Sequence, residues 1–144
     1  MENYSCNNYK TYDVKKLLKG KYESIYNLNL SSNDLDEIPK QNLFNLTNLN
    51  LNCNVIEEFK IEQFPNLLVL FMRNNNIKNI NDTKCHKNLL ALDLTGNSLE
   101  ELPVNLNEIF PRLMYLNVDE NNIKNLVNVV FPESLCFFSS EFNN

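Results

Sequence analysis

The sequence contains five tandem copies of one pattern, and this repetition constrains the fold more than any other feature. Each copy reads LxxLxLxxNxLxxL, with another apolar residue in place of leucine at some positions. All 30 template positions of the five copies match, which composition alone does not produce. The copies align without a gap and begin at Ile25, Leu46, Leu67, Leu89 and Leu113. A partial sixth copy begins at Leu135, with Phe138 and Asn143 in register.

The pattern and its spacing resemble the leucine-rich-repeat family. Successive copies begin 21, 21, 22, 24 and 22 residues apart, within the range of about 20–29 residues for that family. The resemblance covers residues 25–143. It implies an α/β solenoid with one curved parallel β-sheet on its concave face and short 3₁₀ or irregular segments on its convex side.

The residues themselves support such a solenoid. In each copy the central LxL alternates with period two, so its leucines face inward and their neighbours face outward, as on a β-strand. One short strand cannot bury its apolar side alone, but stacked copies bury a continuous leucine core. Strands that return in one direction every 21–24 residues form a parallel sheet. Six strands at the usual spacing would make a ribbon about 25 Å wide.

An asparagine follows the strand in every copy. There the chain turns inward, and its backbone N–H and C=O groups lose their sheet partners. A buried asparagine side chain supplies two donors and one acceptor atom that can satisfy these groups. We therefore predict a structural asparagine ladder formed by Asn33, Asn54, Asn75, Asn97, Asn121 and Asn143.

The repeats leave the two ends of the chain to be explained. We interpret residues 1–24 as an N-terminal capping segment and residues 25–144 as the repeats. Residues 13–19 have the spacing of one or two amphipathic helical turns, and Gly20 would end them. Val14, Leu17 and Leu18 would then cover the first repeat. No cap is recognisable after the sixth copy, so we expect its edge to be covered by further chain, a partner or a second copy.

Length, charge and cysteine spacing narrow the class of protein. A length of 144 residues suits one domain, and a net charge of −5 argues against nucleic-acid binding. No apolar run is long enough to span a membrane, and the first residues lack the apolar core of a secretory signal. We therefore expect a cytoplasmic or nuclear protein with reduced thiols, not a secreted one. The 29 asparagines and single alanine suggest an AT-rich source genome.

Catalytic and metal-binding groups are scarce. The single histidine, His86, lies in the convex segment KCHK, where we expect it to be an exposed loop residue. Two glycines cannot form a phosphate-binding loop, and Cys85 with His86 makes only two adjacent metal ligands. The pairs Glu57-Glu58 and Glu100-Glu101 occupy equivalent positions, which we interpret as solvated surface. We predict no catalytic residue, no metal and no cofactor, and thus no enzyme.

The outward positions of the strands are the candidates for function. The first two copies present only small polar side chains there, whereas later copies present large apolar and charged ones, including Val69 and Glu141. Exposed aromatic residues and arginine on a rigid surface typically anchor protein interfaces. The predicted partner-binding residues are Phe71, Arg73, Asp93, Tyr115, Asn117, Asp119 and Phe137. With Glu141 included, the charged members carry a net charge of −2, which favours a basic or mixed partner.

Three functions remain open at this point. The first is a non-catalytic module, an adaptor or regulatory subunit, that binds a protein partner on its concave face. The second is a structural subunit that assembles, with itself or with another chain, through its C-terminal edge. The third is a fragment of an extracellular recognition domain, which would predict a signal sequence and paired cysteines. The repeat pattern identifies a fold and does not identify the partner.

Overall fold

Among the residues that the structure describes, seven short parallel strands and one helical turn make up the regular structure. The computed structural model describes residues 2–5, 19–20, 23–40 and 43–144, and residues 2–5 are described by their backbone alone. The strands lie in sequence order in a single sheet. Their bounds are Glu2–Ser5 (β1), Ile25–Asn29 (β2), Asn48–Asn50 (β3), Val69–Phe71 (β4), Ala91–Asp93 (β5), Tyr115–Asn117 (β6) and Phe137–Ser139 (β7), with Leu106–Ile109 as helix α1. Over the described ranges, no helix has the length and hydropathy needed to cross a bilayer.

The strands β2 to β7 are the six that the repeat predicts. Every neighbouring pair is parallel and in register at the central apolar residue, from Leu28 opposite Leu49 to Leu116 opposite Phe138. The register follows from the pattern, because a shift by one residue would expose the leucine column to water. The prediction of a parallel repeat solenoid is therefore confirmed.

The apolar template residues form the core between the sheet and the convex segments. All of them are buried in the five complete copies except Leu126, which is half-buried. A second set of fully or nearly fully buried residues comes from the convex segments, namely Leu43, Ile61, Phe64, Leu106, Ile109 and Phe110. The Phe110 ring meets the Phe59 ring edge-on, with ring centroids 6.4 Å apart. The convex side is thus a packed layer and not merely a series of connections.

The ladder asparagines connect each repeat to the preceding one. The Asn75 amide donates to the Met72 carbonyl in its own repeat (3.1 Å) and to the Leu51 carbonyl in the preceding repeat (3.0 Å). Its Oδ1 accepts the backbone N–H of Ile56 (3.1 Å). The same two kinds of donation occur at Asn54, Asn97, Asn121 and Asn143. Each of these side chains therefore satisfies backbone groups of two repeats at the point where the sheet hydrogen bonding ends.

The residue before each ladder asparagine has a left-handed backbone. The φ angles lie between 54° and 67° at Ser32, Cys53, Asn74, Gly96, Glu120 and Phe142. This region costs energy for residues with a Cβ and favours glycine. Only the fourth repeat has glycine there, and a Cβ on Gly96 would lie 2.4 Å from Asn74 Oδ1.

We expect Gly96→Ala to lower the free energy of unfolding by about 1 kcal/mol, because it adds a Cβ at positive φ. The same Cβ also meets Asn74 Oδ1. Gly96→Ala should therefore cost less in an Asn74→Ala background than in the wild type, with Asn74→Ala alone as the reference because Asn74 also has a positive φ. Urea denaturation followed by circular dichroism measures both. A Gly96→Ala midpoint equal to that of the wild type would contradict the strained geometry.

Two elements differ from what the sequence predicts. The strand β1 pairs with β2 and extends the sheet beyond the first repeat, although Glu2–Ser5 contains no position of the repeat template. One convex segment forms the α-helical turn α1 instead of a 3₁₀ or irregular segment. It lies in the 24-residue copy, the longest one, which has room for a full turn. The predicted capping helix at 13–19 falls outside the described residues except for its last residue.

Candidate functional site

The concave face is the solvent side of the sheet, formed by the outward residues of β2 to β7 and of the turns that follow them. The exposed fraction is 37% for Phe71 and 45% for Phe137, and the Arg73 side chain is 52% exposed. Tyr115, Asn117 and Asp119 are half-buried on the same face. Six of the seven predicted partner-binding residues are thus accessible to a partner, and they lie on repeats three to six.

Asp93 is the exception, because it is only 5% exposed. Its Oδ1 accepts the backbone N–H of Thr95 (3.0 Å) and the Thr95 hydroxyl (2.7 Å), and its Oδ2 lies 4.0 Å from Arg73 Nε. The expectation of an exposed Asp93 is therefore wrong. The turn places Thr95 against one oxygen of the carboxylate. The other oxygen faces the exposed Arg73 side chain, so the Asp93 carboxylate is shielded from solvent.

Two aromatic side chains form a stacked pair at the C-terminal end of the face. Tyr115 on β6 is in register with Phe137 on β7. Their ring centroids are 4.6 Å apart and their planes differ by 6°. Stacking holds the two rings in one orientation. These side chains therefore lose less conformational entropy when a partner binds.

The middle column of the face consists of the residue between the two leucines of the LxL motif in each copy. In most repeats this residue has a structural role. Asn29, Asn50, Asp93 and Asn117 each accept, through Oδ1, the backbone N–H of the residue two positions later, at 2.9–3.0 Å. Such side-chain caps are typical of asparagine and aspartate at the start of a turn. The polar side chains of this column therefore stabilise the strand ends of their own repeats.

Repeats three and six lack this cap, because Phe71 and Ser139 occupy the column. In both, the preceding repeat supplies the acceptor. Asn52 Oδ1 accepts the Arg73 N–H (2.7 Å), and Asp119 Oδ1 accepts the Glu141 N–H (2.6 Å). The backbone is satisfied by a neighbour, so Phe71 can be an exposed aromatic residue without loss of the turn.

A second row of polar side chains, missed by the sequence analysis, joins the repeats at the other end of the strands. Asn45, Asn66 and Asn88 each donate through Nδ2 to a carbonyl 22 or 23 residues earlier in the chain, that of Glu23, Phe44 and Pro65 respectively, at 2.7–2.9 Å. Ser134 occupies the same position before the sixth copy, and its hydroxyl lies 3.4 Å from the equivalent carbonyl, that of Pro111, and 2.8 Å from the Leu113 carbonyl. The signal was present, because an asparagine directly precedes the first apolar column in three successive copies.

The expectation of an exposed His86 is also wrong. The residue is 6% exposed, and its Nε2 donates to the Phe64 carbonyl (2.9 Å). Its backbone N–H reaches the Ile109 carbonyl (2.7 Å), and no partner for Nδ1 lies among the described residues. His86 therefore joins three convex segments as part of the packing, which one repeat read by itself does not show.

Ligating side chains do not converge in the part of the chain described. No three His, Cys, Asp or Glu side chains there form a group that could hold a metal ion. Cys53, Cys85 and Cys136 are exposed free thiols.

Comparisons with known proteins agree with this fold. No family model matches the chain, and no curated protein matches it. Among solved structures, YopM from Yersinia enterocolitica WA-314 is similar, with a TM-score of 0.66 and 26% sequence identity. The match covers 79% of this chain and 23% of that chain. Because that structure is a leucine-rich-repeat solenoid and all six repeat strands are parallel here, we conclude that the chain is a leucine-rich-repeat protein.

Proposed function

We propose that this protein is a non-catalytic interaction module that binds a protein partner on its concave face. Solenoids of this class generally serve as protein-interaction modules. Its role would be that of an adaptor or regulatory subunit in the cytoplasm or nucleus. The exposed free thiols of Cys53, Cys85 and Cys136 fit a reducing compartment.

The observation that carries the proposal is the exposed aromatic surface on repeats three to six. Phe71, Tyr115 and Phe137 lie on one rigid sheet, and two of them are stacked. Aromatic residues and arginine often contribute most of the binding energy of protein interfaces. Here their backbone positions are set by the sheet and by the turns that follow its strands. The polar residues of the first two repeats cap their own turns. These observations support binding through Phe71, Arg73, Tyr115 and Phe137, with Asn117 and Asp119 beside them.

The test is an affinity capture from lysate of the source cells, read by mass spectrometry. Three baits are compared: the wild type, Phe71→Ala/Tyr115→Ala on the concave face, and Phe44→Ala/Val104→Ala as a matched control. Phe44 and Val104 are 54% and 59% exposed and lie outside the sheet. Circular dichroism first checks that all three baits are folded.

We expect a protein that the wild type and the control capture and that the concave variant loses. Direct binding of that purified protein, measured by calorimetry with the same three chains, should show the same order. Equal binding to all three would contradict the concave site. It would move the interface to the convex segments or to the β7 edge, where light scattering would then test for self-assembly.

A further inference from the structure

The concave face of repeats three to six has an apolar side, and repeats five and six add an acidic side, whereas Arg73 occupies the corresponding position in repeat three. The apolar side holds the outward residues at the beginning of the strands, namely Val69, Ala91, Tyr115 and Phe137. The acidic side lies where the strands end and holds Asp119, Glu120 and Glu141. A partner that matches both sides must itself combine apolar and basic groups.

The register and residue sizes of the apolar side indicate a notch at Ala91. Ala91, the single alanine of the chain, lies in register between Val69 on one side and Tyr115 on the other. Neighbouring strands are about 4.8 Å apart, so a small residue between two larger ones leaves a depression about one side chain wide. The stacking of Tyr115 on Phe137 holds one wall of this notch in place.

The acidic side has no cationic partner of its own. Elsewhere Glu37, Glu57, Glu58 and Glu100 each lie beside a lysine, and the hydrogen bond from Lys60 lowers the pKa of the Glu58 carboxyl. The four predicted surface glutamates at 57–58 and 100–101 are exposed, as expected. By contrast, no lysine or arginine pairs with the carboxylates of Asp119, Glu120 or Glu141 within the described residues. Asp119 Oδ1 accepts the Ser139 hydroxyl and the Glu141 N–H, both at 2.6 Å, but no cation of the described residues neutralises these three carboxylates, so their charge can attract a basic ligand.

We propose that the partner presents an extended segment to this surface, with a bulky apolar side chain in the Ala91 notch and a lysine or arginine at Asp119 and Glu141. This inference rests on the concave site proposed above. Ala91 and Asp119 lie on adjacent repeats and four positions apart in the pattern, which corresponds to about 13 Å along a strand. An extended segment covers that distance in four residues, and positions i and i+4 share one face. The apolar and basic residues therefore lie four positions apart, in either order.

The test selects binders of the full-length chain from a phage-displayed library of random linear 12-residue peptides. We expect enriched peptides that contain an aromatic or large aliphatic residue four positions from a lysine or arginine. One such peptide is then synthesised with a fluorophore, and its binding is measured by fluorescence anisotropy at low and high salt.

Three variants separate the two contacts. Ala91→Ile fills the notch without removing any group and should weaken binding about tenfold, the equivalent of one buried apolar side chain. Asp119→Asn/Glu141→Gln removes two charges, while the amide oxygen of residue 119 can still accept the Glu141 N–H. It should weaken binding up to about fivefold for each lost pair, with a smaller dependence on salt. Glu57→Gln/Glu100→Gln makes the same charge change elsewhere and should leave binding unchanged.

Each outcome decides a different point. Peptides that require Phe71 and Tyr115 but ignore Ala91→Ile and the charge variant would overturn this inference and leave the proposed function intact. Peptides that bind Phe71→Ala/Tyr115→Ala as well as they bind the wild type would count against both. A selection that enriches no sequence would overturn the extended segment, and the capture experiment would still test the concave site separately.

Discussion

Phe110→Ala is expected to lower the free energy of unfolding by about 3–5 kcal/mol, the usual cost of removing a buried phenylalanine ring. Phe110 is 0% exposed and meets Phe59 edge-on. Phe110 follows the last residue of α1, and its backbone N–H donates to the carbonyl of Leu106, the first residue of that helix (2.9 Å). Both its neighbours and its backbone are therefore fixed, and the cavity cannot close by a simple shift of the chain. Urea denaturation followed by circular dichroism measures the change.

Phe44→Ala is the matched control for this prediction. It makes the same chemical change at a residue that is 54% exposed, and its effect should stay within about 0.5 kcal/mol. Phe110→Leu keeps most of the volume and should fall between the two variants. A Phe110→Ala midpoint equal to that of Phe44→Ala would show that the convex layer does not contribute to the core.

Asn75→Leu is expected to cost about 1–3 kcal/mol, although leucine has nearly the same size and is more apolar. The substitution removes the donor to the carbonyls of Leu51 and Met72 and the acceptor of the Ile56 N–H. These backbone groups lie in the turn, away from sheet partners, and the side chain that satisfies them is 6% exposed. The cost of leaving them unpaired exceeds the gain from burying a leucine.

Asn79→Leu separates the ladder from the chemistry of the substitution. Asn79 belongs to the same repeat and is exposed, so the same change should alter the unfolding midpoint little. The measurement is again urea denaturation, with both variants and the wild type in one series. Midpoints for Asn75→Leu and Asn79→Leu that agree within error would contradict the structural role of the ladder.

The hydrogen bonds between repeats explain how an aromatic residue can occupy the middle column of the concave face in repeat three. A middle-column asparagine or aspartate caps its own turn, so replacing it requires a substitute acceptor. Asn52 is that substitute for the turn that follows Phe71, and Asp119 is the substitute in the sixth repeat. Phe71 can therefore occupy this column because Asn52 of the preceding repeat accepts the Arg73 N–H in place of a cap from residue 71.

Much of the fold could be predicted because its determinants are local and repeated. The period-two LxL motif assigns inward and outward faces for each strand, and the 21–24-residue return makes the strands parallel. The aromatic surface could be predicted for the same reason, since Phe71 and Phe137 lie at outward positions of that motif. The second row of asparagines was equally regular but was missed because it lies outside the apolar template.

By itself, the sequence determined the repeat, the buried columns and the positions where side chains leave the sheet, because each depends on spacing within one copy. Only the tertiary structure decided how neighbouring copies meet. In that structure His86 is buried and hydrogen-bonds the Phe64 carbonyl, 22 residues away. Asp93 faces Arg73 of the preceding repeat, and β1 extends the edge of the sheet. Such contacts join atoms of adjacent repeats, and loops of unequal length decide which atoms come together. The sequence pattern of a single copy therefore cannot predict these contacts between copies.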